Sequence, residues 1–265
     1  MRLLLVYGQI IGLFPVLGVA DDNANNVSFN IYSWRCLCSY FLCAFQGSAT
    51  LLCLLKLFNS TLSITILAFV CFYGSTCITT MLFLRVAYKW PTLLQELANT
   101  PLDGYIDPKL KTKCNVTVIV ITILSITEHM LSIMSRLTEA MHCYGDIEVF
   151  QKYTEIICPW LLGLGISYNA FSGILLGVLN FISSLNWNYS DIFIVCMSFY
   201  LASILEGVNK KLMMTRGKYL PSSFWRSLRE DYNKVTRLVR ATDDVISSVI
   251  FMSFASNMFF ICLQL

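Results

Sequence analysis

The sequence predicts an all-α membrane protein, a polytopic bundle of helices that crosses the bilayer several times. Apolar residues make up 56% of the 265 residues and charged residues only 13%, about half the charged share of an average soluble domain. The chain also contains several long apolar segments, and the last of them, residues 245–265, carries no charge. As a helix this segment would be ~31 Å long, which matches the hydrocarbon thickness of a bilayer.

The first apolar segment allows two interpretations. Residues 3–20 follow Arg2 and end in small residues before Asp21, which is the pattern of a cleavable signal peptide. The glycines and Pro15 within the segment make it a poor straight helix, which fits a membrane-embedded approach to the first crossing. The basic residues favour the second interpretation, because a cleaved signal peptide would put the basic loops on the wrong side of the membrane.

The basic residues also predict the orientation of the bundle. Fourteen of the 19 lie in two segments, residues 85–113 and 210–240. Loops rich in Lys and Arg face the cytoplasm, so an even number of crossings must separate these two segments. Because three apolar segments lie between them, the last two are predicted to share one long helix, residues 168–214. This helix would pass through the polar sequence from Asn186 to Asp191.

The predicted organisation has five crossings and an intracellular amino terminus. Residues 1–34 form the approach segment, residues 35–214 contain the first four crossings, and residues 215–243 form a basic cytoplasmic segment before the fifth crossing. Part of the basic segment, residues 222–240, has an apolar helical face. It could lie on anionic lipid, but a cytoplasmic packing helix continuous with the last crossing is favoured. The five predicted crossings are residues 35–57, 62–85, 115–136, 168–214 and 244–265.

The sequence contains none of the common catalytic motifs. It has no Walker A loop, no His-Glu-x-x-His motif, no Gly-x-Ser-x-Gly motif and only two His residues. An enzyme, a cofactor, a metal site and a nucleic-acid partner are therefore not predicted. Most of the 11 Cys residues lie in apolar segments, where a thiol packs as a small hydrophobe. Cys143 and Cys158 could form a disulfide bond if their loop is extracellular.

Glu128 and His129 are the first candidates for a functional site. They lie near the middle of an otherwise apolar crossing, where an ionisable group is costly and indicates a function by default. Ser132 continues the polar face one turn further along. Asn169 and Asn257, in the fourth and fifth crossings, are predicted to lie with them at or outward of the bilayer midplane. Each of these side chains has an alternative role, a hydrogen bond between helices.

Carboxylate, amide and hydroxyl groups beside aromatic rings would suit a polyhydroxylated ligand. The hydroxyls of such a ligand need both donors and acceptors, and its C–H faces stack on rings. The sequence therefore predicts a ligand-binding site made of Glu128, His129, Ser132, Asn169 and Asn257.

Several motifs follow one another in order along nearly the whole chain. They are Gly12-Leu13-Phe14-Pro15-Val16-Leu17-Gly18-Val19, Trp90-Pro91, Glu128-His129-x-Leu131-Ser132, Trp187-Asn188-x-x-Asp191-x-Phe193-Ile194, Trp225 with Arg229-Glu230-Asp231-Tyr232, Asp243-Asp244, and Ser253-Phe254-x-x-Asn257-x-x-Phe260-Ile261-Cys262-Leu263-Gln264-Leu265. In this order the chain resembles the insect gustatory receptors, and within them the sugar-sensing branch that includes sweet-taste and trehalose-receptor-like proteins.

The resemblance implies a seven-helix subunit with an intracellular amino terminus, which assembles as a tetrameric ligand-gated cation channel in the dendritic membrane of taste neurons. The tetramer would be formed with identical or other gustatory receptor subunits. The sugar pocket would lie in the outer half of the bundle, with the pore formed by the last helix. The chain is expected to be an amino-terminal fragment without the last two helices. The alternative is a truncated, non-conducting isoform or a pseudogene product.

Overall fold

Long helices account for most of the chain in the computed structural model, which describes residues 2–19, 26–59, 63–100, 103–143, 149–158 and 169–265. A short antiparallel pair, β1 (Val16–Leu17) and β2 (Ser28–Phe29), follows the first helix. A 3₁₀ turn spans Asp103–Tyr105. The α-helices of the described residues are α1 (Arg2–Ile10), α2 (Trp34–Asn59), α3 (Ile64–Ala98), α4 (Leu110–Cys143), α5 (Val149–Ile157), α6 (Ala170–Met213) and α7 (Ser222–Gln264).

Five of these helices, α2, α3, α4, α6 and α7, are long and apolar enough to cross a membrane. The predicted all-α polytopic bundle is therefore confirmed. The longest, α6, has 44 residues and extends ~66 Å, about twice the hydrocarbon thickness. It is one continuous helix through Asn186 and Asp191.

Helices α3, α4 and α7 continue past their predicted crossings at one end of the bundle, which we call the basic end. It consists of the end of α3, the start of α4, the end of α6 and the start of α7. At this end Ile204 and Val208 of α6 form an apolar cluster with Leu228, Val235 and Leu238 of α7. The first half of α7 is thus a packing helix that runs without a break into its membrane-spanning half.

Residues 2–19 are an integral part of the core. Phe14 is fully buried, and its ring meets those of Phe83, Trp90 and Phe193 at centroid distances of 6.4, 5.3 and 6.1 Å. Gly18 has a φ of 78°, a left-handed conformation that favours glycine, and a Cβ atom there would run into the backbone of the segment that precedes β2. The chain can therefore turn back sharply and pair β1 with β2.

The side chain of Cys143 lies outside the part of the chain that the structure describes. Cys158, however, is a free thiol in the structure, so the predicted disulfide bond between the two residues is not formed. Cys158 itself is buried, in an apolar cluster with Tyr73 and Ile157 at the end of the bundle opposite the basic end.

Candidate functional site between α6 and α7

An ionisable side chain, Asp191, lies within α6 where that helix meets α7. The Ser253 hydroxyl of α7 donates a hydrogen bond to Oδ1 of Asp191. Asn257 Nδ2 donates to both carboxylate oxygens, at 3.3 Å to Oδ1 and 3.2 Å to Oδ2. Among the described residues, no Lys or Arg side chain forms an ion pair with Asp191. The carboxylate is therefore satisfied by neutral donors alone.

Asn257 also contacts Trp187, one turn before Asp191 on α6. The indole Nε1–H of Trp187 donates to Asn257 Oδ1 at 3.0 Å. The indole ring stacks on Phe72 of α3, with centroids 5.9 Å apart and planes 15° apart. Phe260 of α7 approaches the indole edge-on at 4.7 Å. We call Phe72, Trp187, Asp191, Ser253, Asn257 and Phe260 the Trp187 cluster.

The Trp187 cluster lies nearer to the end of the bundle opposite the basic end. Phe72 is eight residues into α3 from Ile64, or ~12 Å along the helix axis. Asn257 is seven residues before the last residue of α7, Gln264, or ~10 Å. Both helices therefore present the cluster at a similar depth below this end.

A second polar group, the Gln46 network, adjoins the cluster. Gln46 Nε2 donates to Ser183 Oγ at 3.2 Å, and the Thr80 hydroxyl donates to Gln46 Oε1 at 2.8 Å. Asn186 Nδ2 donates to Thr80 Oγ1 at 2.7 Å. These four side chains, from α2, α3 and α6, are fully buried. Asn186 Oδ1 has no hydrogen-bond partner among the described residues, so one buried acceptor is left for a further donor.

The predicted site residues are divided between different parts of the bundle. Asn257 lies in the Trp187 cluster. His129 of α4 is half-buried, with its ring 4.9 Å from that of Phe181 on α6, and Ser132 is also half-buried. The side chain of Glu128 is exposed.

Asn169 has a local structural contact at the start of α6. Its side chain is exposed, and Oδ1 accepts a hydrogen bond from the backbone N–H of Phe171 at 3.1 Å. This is the usual geometry of a helix N-cap. Neither this contact nor the position of Glu128 brings the predicted residue next to Asn257, so the five-residue ligand site stays a prediction.

The separation follows from the geometry of α6. His129 contacts α6 at Phe181 and Asn257 contacts it at Trp187. These two positions are six residues apart, which places them ~120° apart around the helix. As a consequence, α4 and α7 pack on different faces of α6.

Trp187 and Asp191 were not among the predicted site residues. Both lie in the polar sequence between two apolar segments. This sequence bears first on whether the two segments form one helix or two. The signal that identifies Asp191 is the one that selected Glu128, an acidic side chain within a membrane-spanning helix. Because residues 168–214 are predicted to form one helix, this criterion selects both residues from the sequence.

Comparison with known proteins agrees with this architecture. The sequence profile described as Trehalose receptor matches residues 1–265. The chain belongs to the trehalose receptor family. This is a receptor family, not an enzyme family.

Curated relatives of the chain in Drosophila melanogaster are gustatory receptors. "Gustatory receptor for sugar taste 64f" is 29% identical over 273 residues, which cover 100% of this chain and 57% of the relative. "Gustatory receptor 5a for trehalose" is 26% identical, with 98% of this chain and 60% of the relative covered. "Gustatory receptor for sugar taste 64a" is 26% identical, with coverages of 97% and 59%. The chain thus spans less than two thirds of the length of these relatives.

Proposed function

We propose that the chain is the sugar-recognising part of a gustatory receptor and that its ligand contacts the Trp187 cluster. The observation that carries this proposal is the combination of a large aromatic ring, an amide and a carboxylate at one point inside the bundle. Membership of the trehalose receptor family supports a sugar as the ligand class. The names of two relatives, a gustatory receptor for sugar taste and one for trehalose, support it as well.

The chemistry of the cluster suits a sugar. A pyranose ring has apolar C–H faces that stack on an indole, and its hydroxyls both donate and accept hydrogen bonds. Trp187 supplies the ring surface and Asn257 supplies an amide with a donor and an acceptor end. The unpartnered Asn186 Oδ1 offers an additional acceptor next to Trp187 in the chain.

Glu128, His129, Ser132 and Asn169 remain part of the proposal as a second group of ligand contacts. His129 supports this best, because it faces α6 through Phe181, one to two turns from Trp187 in the direction of the opposite end of the bundle. A disaccharide would contact both this second group and the Trp187 cluster only if it lies across α6. A monosaccharide would contact the Trp187 cluster alone.

The finer proposal is a subunit of a ligand-gated cation channel, assembled as a homo- or hetero-tetramer with other gustatory receptor subunits in the dendritic membrane of taste neurons. Family membership supports this proposal, and five helices suited to a lipid bilayer agree with a membrane location.

Sugar binding can be tested on the 265-residue chain in lipid nanodiscs. Calorimetric titration with trehalose and sucrose should show saturable binding, whereas alanine should not bind. Trp187→Leu should weaken sugar binding roughly tenfold, the effect of losing one aromatic stacking contact. Trp34→Leu is the matched control, because Trp34 is 77% exposed at the far end of α2. Equal affinities in wild type and Trp187→Leu would refute the assignment of the site.

The channel proposal needs a separate measurement. Sugar applied to cells that express the chain together with other gustatory receptor subunits, which would supply the pore helix, should evoke a cation current that Trp187→Leu reduces. Sugar binding without a current in any of these combinations would refute the channel role and leave recognition intact.

A further inference from the structure

We propose that Asp191 is a positioning residue that acts through Asn257 to hold the indole of Trp187 in place for ligand stacking. The proposal rests on the proposed function for its ligand, but its geometric part can be tested without any sugar. It concerns a chain of three side chains that alternates between helices, from Asp191 on α6 to Asn257 on α7 and back to Trp187 on α6.

The Asn257 amide can take two orientations, and Asp191 favours one of them. An amide has a donor end, Nδ2, and an acceptor end, Oδ1, and the two ends exchange places when the group rotates by half a turn. Asn257 Nδ2 faces the two oxygens of Asp191 at 3.3 and 3.2 Å. In the rotated state Oδ1 would face the carboxylate, and two acceptors would repel each other. Asp191 therefore selects one orientation of the amide.

The orientation of the Asn257 amide decides which of its two ends faces the Trp187 indole. An indole has one polar atom, Nε1, and it can only donate. With Nδ2 turned toward Asp191, Oδ1 is left to accept from Nε1 at 3.0 Å. In the rotated state the NH₂ group would face the indole N–H, and no hydrogen bond could form. The carboxylate of Asp191 therefore determines whether Trp187 has a polar anchor, although the two side chains share no direct hydrogen bond in the structure.

The remaining contacts of the Trp187 indole are with two aromatic rings. Phe72 lies parallel to the ring at 5.9 Å and Phe260 meets it edge-on at 4.7 Å. Such contacts keep the ring in an apolar slot but allow it to slide and tilt, because ring contacts tolerate a range of offsets. The hydrogen bond to Asn257 is the directional contact that selects one position within the slot.

Ser253 completes the arrangement. Its hydroxyl donates to Oδ1 of Asp191, so the carboxylate is held from two successive turns of α7. The neighbouring Ser256 hydroxyl, in contrast, donates to the carbonyls of Met252 and Ser253 in its own helix and, among the described residues, to no other group. This difference provides a matched control on the same helix. Ser256→Ala removes a hydroxyl but no hydrogen bond among Asp191, Asn257 and Trp187.

The decisive experiment exchanges the two groups. In Asp191→Asn the chain keeps its shape, but an amide on α6 can donate or accept, so the orientation of Asn257 is no longer selected. In the double variant Asp191→Asn/Asn257→Asp, the carboxylate moves to α7, where it accepts from both Trp187 Nε1 and the new amide on α6. The exchange therefore restores both hydrogen bonds with the partners reversed.

The readout is the ¹H–¹⁵N resonance of the Trp187 indole N–H in the nanodisc-embedded chain, assigned by its loss in Trp187→Phe. We expect Asp191→Asn to shift or broaden this resonance, and the double variant to return a single sharp hydrogen-bonded resonance. Ser256→Ala should leave it unchanged. The proposal would be overturned if the Trp187 indole resonance moves no more in Asp191→Asn than in Ser256→Ala. A double variant that gives no recovery would overturn it as well.

Sugar affinity is the second readout. Asp191→Asn should bind sugar several-fold to tenfold more weakly, and the double variant should recover most of the loss, as expected for one misplaced stacking contact. Recovery of the resonance without recovery of affinity would overturn the link from Asp191 to ligand binding. If the wild-type chain binds no sugar, the proposed function fails, while the resonance still decides whether Asp191 positions Trp187.

Discussion

The same two helices, α6 and α7, are joined by a carboxylate at two levels of the bundle, and the partners differ. Within the membrane-spanning part, Asp191 of α6 accepts hydrogen bonds from Ser253 and Asn257 of α7. At the basic end the carboxylate lies on α7 and its partner on α6. There Asp231 of α7 pairs with Lys211 of α6 at 3.0 Å and accepts a hydrogen bond from the Tyr105 hydroxyl.

The difference reflects the surroundings of each carboxylate. Lys211 and Asp231 have partly exposed side chains, at 37% and 16%, so a charged partner keeps much of its hydration and the net gain of the pair is modest. Asp191 is also only half-buried, but it lies in the membrane-spanning part of the bundle. A Lys there would lose most of its hydration, and the cost of burying two charges can exceed their attraction. Neutral hydroxyl and amide donors avoid this cost and still satisfy the carboxylate. The membrane contact is therefore the more sensitive one to the loss of a partner.

The largest expected effect is that of Asp191→Ala. The substitution leaves the buried Ser253 hydroxyl and the half-buried Asn257 amide without their acceptor, and a polar group left unsatisfied away from water costs ~1–3 kcal/mol. We expect the free energy of unfolding to fall by about 3 kcal/mol, measured by titration with sodium dodecyl sulfate in mixed micelles. A fall no larger than that of Ser256→Ala would show that the membrane contact contributes nothing.

Lys211→Met should have a smaller effect. It removes the cation 3.0 Å from Asp231 and a donor 2.6 Å from the Tyr105 hydroxyl, but water can replace both. The same titration should give a loss of about 1 kcal/mol, as for a partly exposed ion pair. Lys218→Met, at an exposed position in the loop before α7, is the matched control. If Lys211→Met destabilises the chain more than Asp191→Ala, the comparison between the two regions is wrong.

Alkaline pH should weaken the contact at the basic end. Burial, followed by the hydrogen bond to the Asp231 carboxylate, raises the pKa of Tyr105 above its ordinary value, which is about 10. Because the folded-state pKa is the higher one, the stabilisation is fully present below pH ~10 and is lost as the pH rises through the folded-state pKa. The stability of the wild type should therefore fall more steeply above pH ~10 than that of Tyr105→Phe. Parallel pH profiles would contradict this expectation.

The smallest effect is expected for Arg226→Ala. Arg226 and Glu230 lie 3.7 Å apart on the surface of α7, with side chains that are 85% and 62% exposed. Pairs of this kind contribute ~0.5 kcal/mol or less. The unfolding midpoint should stay within error of the wild type, and raising the salt concentration should not change the difference. A loss as large as that of Lys211→Met would mean that solvent exposure does not decide how much an ion pair at the basic end contributes.

The helices could be predicted from the sequence to a large extent. The charge-free run at the end of the chain predicts a membrane-spanning helix, and α7 spans it as far as Gln264. The parity of the two basic segments predicts one helix through Asn186, and α6 is continuous there. The apolar face of residues 222–240 predicts a packing helix before the last crossing, and α7 begins at Ser222. What could not be predicted is how far α3 extends at the basic end, to Ala98, because a polar helix has no hydrophobic run to mark its bounds.

The candidate site could be predicted only in part. Asn257 was selected as a polar group in an apolar helix, and it has specific partners in the structure. Its partners Trp187 and Asp191 are 70 and 66 positions away in the sequence, and nothing local relates those positions. Glu128 was selected by the same criterion, yet its side chain is exposed among the described residues.

The sequence by itself determined that the chain is a membrane protein, that five of its helices can cross a bilayer, and which family it belongs to. These properties depend on composition, on the lengths of apolar runs and on motifs that are contiguous in the chain. Only the tertiary structure decided that Asp191, Asn257 and Trp187 form one hydrogen-bonded chain. The reason is that the rotation of α6 against α7 decides which polar side chains meet, and a rotation of one residue, ~100°, would separate them.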